Sequence, residues 1–138
     1  MSLKPLTVPG KSESLTAIAN YVIKAARLAR LDKKTTYKLR LAVDEIATNI
    51  IQHGYAEPGL TGQIICSAQL DYHHLTIALE DWGLAYNSAK HSQPSNLQQP
   101  LVERPIGGLG IYLAIKNVDD LQYARIGDRN RHTFIVRR

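Results

Sequence analysis

Glu45 and Asn49 stand four residues apart in Leu41-Ala42-Val43-Asp44-Glu45-Ile46-Ala47-Thr48-Asn49-Ile50-Ile51-Gln52-His53-Gly54-Tyr55. A carboxylate can take up a proton, and an amide oxygen can join the oxygen shell of a hard divalent cation, so the pair can serve a Mg-nucleotide site. Glu and Asn at this spacing are also an ordinary solvated helix edge, and the two readings stay open on the pair alone. Three more segments carry related chemistry. Asp81-Trp82-Gly83 closes an apolar run: its carboxylate can accept a hydrogen bond from an exocyclic amine, and Gly83 lets a flat ligand approach the backbone, although Asp-x-Gly is also a common turn. Gly107-Gly108-Leu109-Gly110 precedes a short helical pattern, where free backbone N–H groups at a helix start can cradle phosphate oxygens. Thr133, in the last apolar alternation, has a hydroxyl that could join the Asp81 hydrogen bonds or simply face solvent from a strand.

These residues need elements to position them. At about 100° per residue, Leu39, Val43, Ile46 and Ile50 share one helical stripe with Glu45 and Asn49 at its edge, and Gly54 suits a left-handed end to that helix. An earlier helix with Leu15, Ile18, Val22 and Ala26 runs to about Arg30, capped by Ser12 or Ser14, and Asp32 to Thr36 form the break and cap before the second. A short strand over 3–8 precedes them. Ala56-Glu57-Pro58-Gly59 reads as a loop, and residues 63–70 and 75–80 alternate in apolar character on either side of Asp71-Tyr72-His73-His74, the pattern of an antiparallel hairpin. The polar, proline-containing stretch 88–105 is long for a loop and reads as a lid. A short helix over 111–117 and two strands about Gly127-Asp128-Arg129-Asn130 follow. Helices and strands come in consecutive runs, which predicts an α+β two-layer sandwich: a mostly antiparallel sheet with helices on one face.

The chain has 138 residues, which fits one domain over 1–138 burying about two-thirds of the surface of its unfolded form. Its formal net charge of +5 and pI near 9.4 favour acidic partners, whether nucleotide phosphates, nucleic acid or an acidic protein surface. Arg125, Arg129, Arg131, Arg137 and Arg138 concentrate that charge near the C-terminus, without interleaved aromatics or a nucleic-acid-binding motif, and read as a solvated basic strand. The single cysteine, Cys66, reads as a small hydrophobe within a strand and excludes an internal disulfide. No apolar run reaches the about 18 residues of a membrane span, and no signal-peptide core opens the chain, so a reducing, cytoplasmic setting is expected.

Read in order, the motifs resemble those of the Bergerat-fold ATP-binding domains shared by gyrase and histidine kinases, and within them the bacterial anti-sigma-factor serine-protein kinases. The resemblance runs through Asp44 to Asn49 with His53-Gly54-Tyr55, then Asp81 to Tyr86, Gly107 to Leu113, and Asn130 to Phe134. It implies ATP and Mg²⁺ as cofactors, with Asn49 as the metal ligand and Glu45 as the general base. It further implies Asp81 as the adenine-reading carboxylate with Gly83 beside it, Gly107, Gly108, Leu109 and Gly110 as the phosphate turn, and Thr133 as a supporting hydroxyl. The resemblance also makes Arg104, in the lid, an expected further phosphate contact. The expected partners are a sigma factor and a serine-bearing antagonist protein, with homodimerisation through the open sheet face and no direct contact with nucleic acid or membrane. Asn87 departs from the aspartate frequent among relatives, and the phosphoacceptor helical hairpin of true histidine kinases is absent from the sequence.

The leading reading is a serine-protein kinase that sequesters a sigma factor. A non-catalytic, ATP-binding partner-switching module is the alternative. A small basic nucleic-acid-binding protein is the third, resting on charge alone and predicting salt-sensitive binding indifferent to Mg-ATP.

Overall fold

The computed structural model describes residues 2–85 and 116–138. The 88–105 segment, Arg104, Gly107, Gly108, Leu109 and Gly110, and all but the last two residues of the helix expected over 111–117, lie outside the described residues. Those described form strands β1 (Ser2–Pro9), β2 (Gln63–Leu70), β3 (His74–Asp81), β4 (Asp120–Ile126) and β5 (Arg129–Arg137), with helices α1 (Leu15–Leu28) and α2 (Lys33–Asn49). The strands make one sheet in the order β1-β2-β3-β5-β4, every neighbouring pair antiparallel. Both helices pack against it, and the expected α+β sandwich is the architecture observed.

Strand periodicity explains the core. Successive side chains alternate between faces, so Leu75, Ile77, Leu79 and Asp81 of β3 share a face with Val136, Phe134, His132 and Asn130 of β5, their register partners in that order. Ile64, Cys66 and Ala68 of β2 continue the buried layer. Burying each of the larger apolar side chains stabilises the fold by about 1.5–3 kcal/mol. The rungs change character along the sheet: Leu75/Val136 and Ile77/Phe134 are apolar, Leu79/His132 is mixed, and Asp81/Asn130 is wholly polar although both residues are buried. Cys66 is buried among the apolar residues, and burial pushes its thiol pKa up to about 12, so it is the inert hydrophobe expected.

The helices close over this layer through Ile18, Val22, Ala25 and Ala26 of α1 and Leu39, Val43 and Ile46 of α2. Asp32 caps α2 as expected, its Oδ1 accepting from the Thr35 N–H at 2.7 Å. Ser14 precedes α1 differently: its hydroxyl donates to the Pro9 carbonyl at 2.7 Å and gives no side-chain cap to the helix. That bond ties the helix entry to the end of β1. Arg30 ends α1 in the left-handed region, at φ 58°, while the Leu31 N–H bonds to the Ala26 carbonyl.

Candidate functional site

The polar end of the sheet faces the C-terminal end of α2. Residues Ile50–Ala56 continue α2 as π-helical turns, a widening that is often found at functional sites. This corrects the expected left-handed end at Gly54. The helical path passes through Gly54, which has no positive φ, and the left-handed residue of the following loop is Gly59, at φ 74°. Gly54 instead borders the turn after β3. The Leu84 N–H donates to its carbonyl at 3.0 Å, and a Cβ built on Gly83 would stand 2.7 Å from that same oxygen.

Tyr55 holds the turn from the helix side. Its hydroxyl donates to the Gln63 carbonyl at 2.6 Å and accepts from the Trp82 N–H at 2.8 Å, and burial raises its pKa. The turn therefore joins α2, β2 and β3 through one phenol. Gly83 completes it by donating its N–H to Asp81 Oδ1 at 2.9 Å.

Asp81 is 1% exposed, and burial raises its carboxyl pKa against the opposing pull of its hydrogen bonds from Asn130 and Gly83 and of the nearby Arg125 charge. Oδ1 accepts from Gly83 and from Asn130 Nδ2, the latter at 3.0 Å, whereas Oδ2 has no hydrogen-bond partner among the described residues. Among the described residues, the cationic candidate within 4 Å is His132, whose Nε2 is 3.7 Å from Oδ2. Burial pushes the His132 pKa down to about 4, so the imidazole is neutral at pH 7 and its contact with Asp81 is no ion pair there. Asn49 Nδ2 is a second buried polar atom without a hydrogen-bond partner among the described residues. It lies five residues before Gly54, about one π-helical turn, and Glu45 lies four residues further back along α2, half-buried.

The structure thus brings Asp81 and Gly83 together and joins their turn to the helical segment that follows Glu45 and Asn49. It separates Thr133 from them. Thr133 pairs with Ala78, so alternation puts it on the opposite sheet face from Asp81 and corrects the expected hydroxyl contact. His132 and Asn130 take the inward positions. The basic strand is corrected in part as well: Arg125 donates from Nη1 to the Gly83 carbonyl at 3.2 Å and to Asn130 Oδ1 at 3.0 Å, and Arg129 pairs with Glu80 at 3.0 Å.

The sequence profile of the histidine kinase-like ATPase domain matches residues 8–136. The chain belongs to this family. Among its relatives, the serine-protein kinase RsbW of Bacillus thuringiensis (strain Al Hakam) is 28% identical over 120 residues, covering 85% of this chain and 74% of that protein. Serine-protein kinase RsbW of Bacillus mycoides (strain KBAB4) is 29% identical, and that of Bacillus anthracis (strain CDC 684 / NRRL 3495) 28% identical, both with the same coverage.

The chemistry of a histidine kinase-like ATPase fits the residues found. A nucleotide base offers an amine that Asp81 Oδ2 can accept, and the Asn49 amide, whose two ends exchange on a half-turn, can offer an oxygen to Mg²⁺ or an N–H to a phosphate. Among the described residues no group of three His, Cys, Asp or Glu stands close enough to hold a metal ion. No described helix is long and apolar enough to cross a membrane. Asn130, His132, Tyr55, Tyr123 and Arg125 were not singled out by their sequence positions as site residues. One signal for two of them was present: Phe134 and Val136 mark the apolar side of the last strand, so His132 and Asn130 follow inward at a period of two.

Proposed function

We propose that this histidine kinase-like ATPase binds Mg-ATP between the end of α2 and the turn after β3, and transfers the γ-phosphoryl group to a serine of a partner protein. The observation that carries this reading is that two buried polar atoms, Asn49 Nδ2 and Asp81 Oδ2, have no hydrogen-bond partner among the described residues and stand on elements joined where Gly54 meets Gly83. Unpaired buried polar groups cost about 1–3 kcal/mol each, so a ligand that satisfies both recovers that cost on binding.

Asp81 accepts the adenine amine, and Gly83, lacking a side chain, leaves room for the ring. Asn49 turns its oxygen to Mg²⁺, which supplies charge neutralisation for the phosphates when bound. Gly107, Gly108, Leu109 and Gly110 provide the phosphate-cradling N–H groups, and Arg104 a further phosphate contact. Glu45 takes the proton of the serine hydroxyl as the new O–P bond forms and the bond from the γ-phosphorus to the bridging oxygen breaks, leaving ADP. The similarity to serine-protein kinases named RsbW supports the choice of serine as acceptor. The resemblance to anti-sigma-factor kinases extends the reading to a cytoplasmic homodimer, paired through the sheet face opposite the helices, that holds a sigma factor and phosphorylates its antagonist.

Calorimetry at fixed salt tests the site: micromolar binding of Mg-ATP by the wild type, lost in Asn49→Ala, is expected. Glu45→Ala should then keep ATP and lose phosphate transfer to a serine-bearing antagonist. Absence of binding in the wild type sinks the kinase reading, and binding without transfer by the wild type leaves an ATP-dependent partner switch.

A further inference from the structure

Asn130 makes more side-chain hydrogen bonds than the proposed chemistry has asked of it. It is 1% exposed and sits directly across the β3–β5 ladder from Asp81. Its Nδ2 donates to Asp81 Oδ1 at 3.0 Å and reaches the carbonyls of Gly83 and Leu84 at 3.1 and 3.3 Å. Its Oδ1 accepts from the Tyr123 hydroxyl at 2.5 Å and from Arg125 Nη1 at 3.0 Å.

The direction of this amide is decided by chemistry. A guanidinium can only donate, so Arg125 requires the oxygen end, and the NH₂ end is left for Asp81 and the turn carbonyls. A reversed amide would set two donors against each other at Arg125 and two acceptors against each other at Asp81. The same side chain therefore grips both the Asp81 carboxylate and the turn that carries Gly83. With the Gly83 N–H it gives Oδ1 two hydrogen bonds and leaves Oδ2 as the acceptor without a partner among the described residues.

We propose that Asn130, held by Tyr123 and Arg125, is the positioning residue of the nucleotide pocket, fixing one oxygen of Asp81 so that the other reads the exocyclic amine of the base. This rests on the proposed nucleotide reading. A carboxylate anchored through one oxygen cannot turn to suit another base, and an acceptor fixed in that place favours an amine over a hydrogen or a carbonyl. A merely structural asparagine would instead support every nucleotide alike, whatever the base carries.

The test compares ATP with purine riboside triphosphate, which lacks only the 6-amine, by calorimetry in the wild type, Asn130→Ala and Tyr123→Phe. One hydrogen bond to a charged acceptor predicts that the wild type prefers ATP by about ten- to hundredfold. Asn130→Ala should bring this preference to within about threefold of equality, with Tyr123→Phe in between because it loosens the asparagine without removing it. A preference unchanged in Asn130→Ala, with both nucleotides weakened together, overturns the proposal. Carboxyl ¹³C NMR on the nucleotide-free protein adds a readout independent of binding, since losing the Asn130 hydrogen bond should move the Asp81 titration upward. Should the wild type bind neither nucleotide while that titration still moves, the nucleotide reading falls and the grip of Asn130 on Asp81 stands. An unmoved titration overturns the grip, whatever binds.

Discussion

Gly83 and Gly54 meet backbone to backbone: a Cβ on Gly83 would lie 2.7 Å from the Gly54 carbonyl oxygen and 2.9 Å from its carbonyl carbon. The approach is asymmetric. Among the described residues a Cβ on Gly54 would meet nothing closer than Ile50 Cγ2 at 3.9 Å and Asp81 Oδ1 at 4.0 Å, both ordinary contacts. Gly83→Ala is therefore expected to cost about 2 kcal/mol, because two backbone segments must separate, while Gly54→Ala stays within about 1 kcal/mol of wild type. Equal urea midpoints for the two variants would contradict the contact.

Tyr55→Phe removes a hydroxyl that serves Gln63 and Trp82 at once. The Trp82 N–H loses its acceptor, so a loss of about 1–3 kcal/mol is expected by urea denaturation, together with faster amide exchange at Trp82. Unchanged exchange at that amide would show that another acceptor serves it.

His132 makes stability depend on pH. Its pKa falls from 6.5 to about 4 on burial, so the unfolded chain takes up a proton below 6.5 that the folded chain refuses until about 4. Stability from this group is complete above 6.5 and is lost as the pH falls toward 4, by up to about 3 kcal/mol. Asp81, with its raised pKa, acts in the opposite sense from 3.8 upward and offsets part of the loss. His132→Gln should flatten the stability profile between pH 6.5 and 4.5 relative to wild type. Parallel profiles would mean that the imidazole titrates normally in the folded protein.

Arg30 pays for the end of α1 with a left-handed backbone at φ 58°. Arg30→Gly relieves the Cβ conflict and is expected to raise stability by about 0.5–1 kcal/mol, seen as a higher urea midpoint with an unchanged slope. A lower midpoint would show that the arginine side chain contributes more than the strain removes.

Much of the fold was legible because its determinants are local. The stripe Leu39, Val43, Ile46 and Ile50 is the buried face of α2 and its continuation, and Asp32 caps that helix, since both follow from 3.6-residue spacing and the needs of the first turn. Misreadings arose where a residue type suggested one role and its neighbours another. Thr133 has a suitable hydroxyl but the wrong strand parity, and Gly54 has the freedom for a left-handed end but continues the helical path, offering its carbonyl to the β3 turn where Gly83 is the glycine that the close approach requires.

By itself the sequence determined the periods, the Asp32 cap of α2, the order of the described helices and strands, and the residue types able to handle a nucleotide. All of these are set within a few positions of chain. Only the tertiary structure decided which polar groups meet: Asn130 finds Asp81 from 49 residues away, and Trp82 finds Tyr55 from 27. Such partners depend on strand register and on how the end of α2 seats against the sheet, and both are settled by packing the whole apolar layer at once.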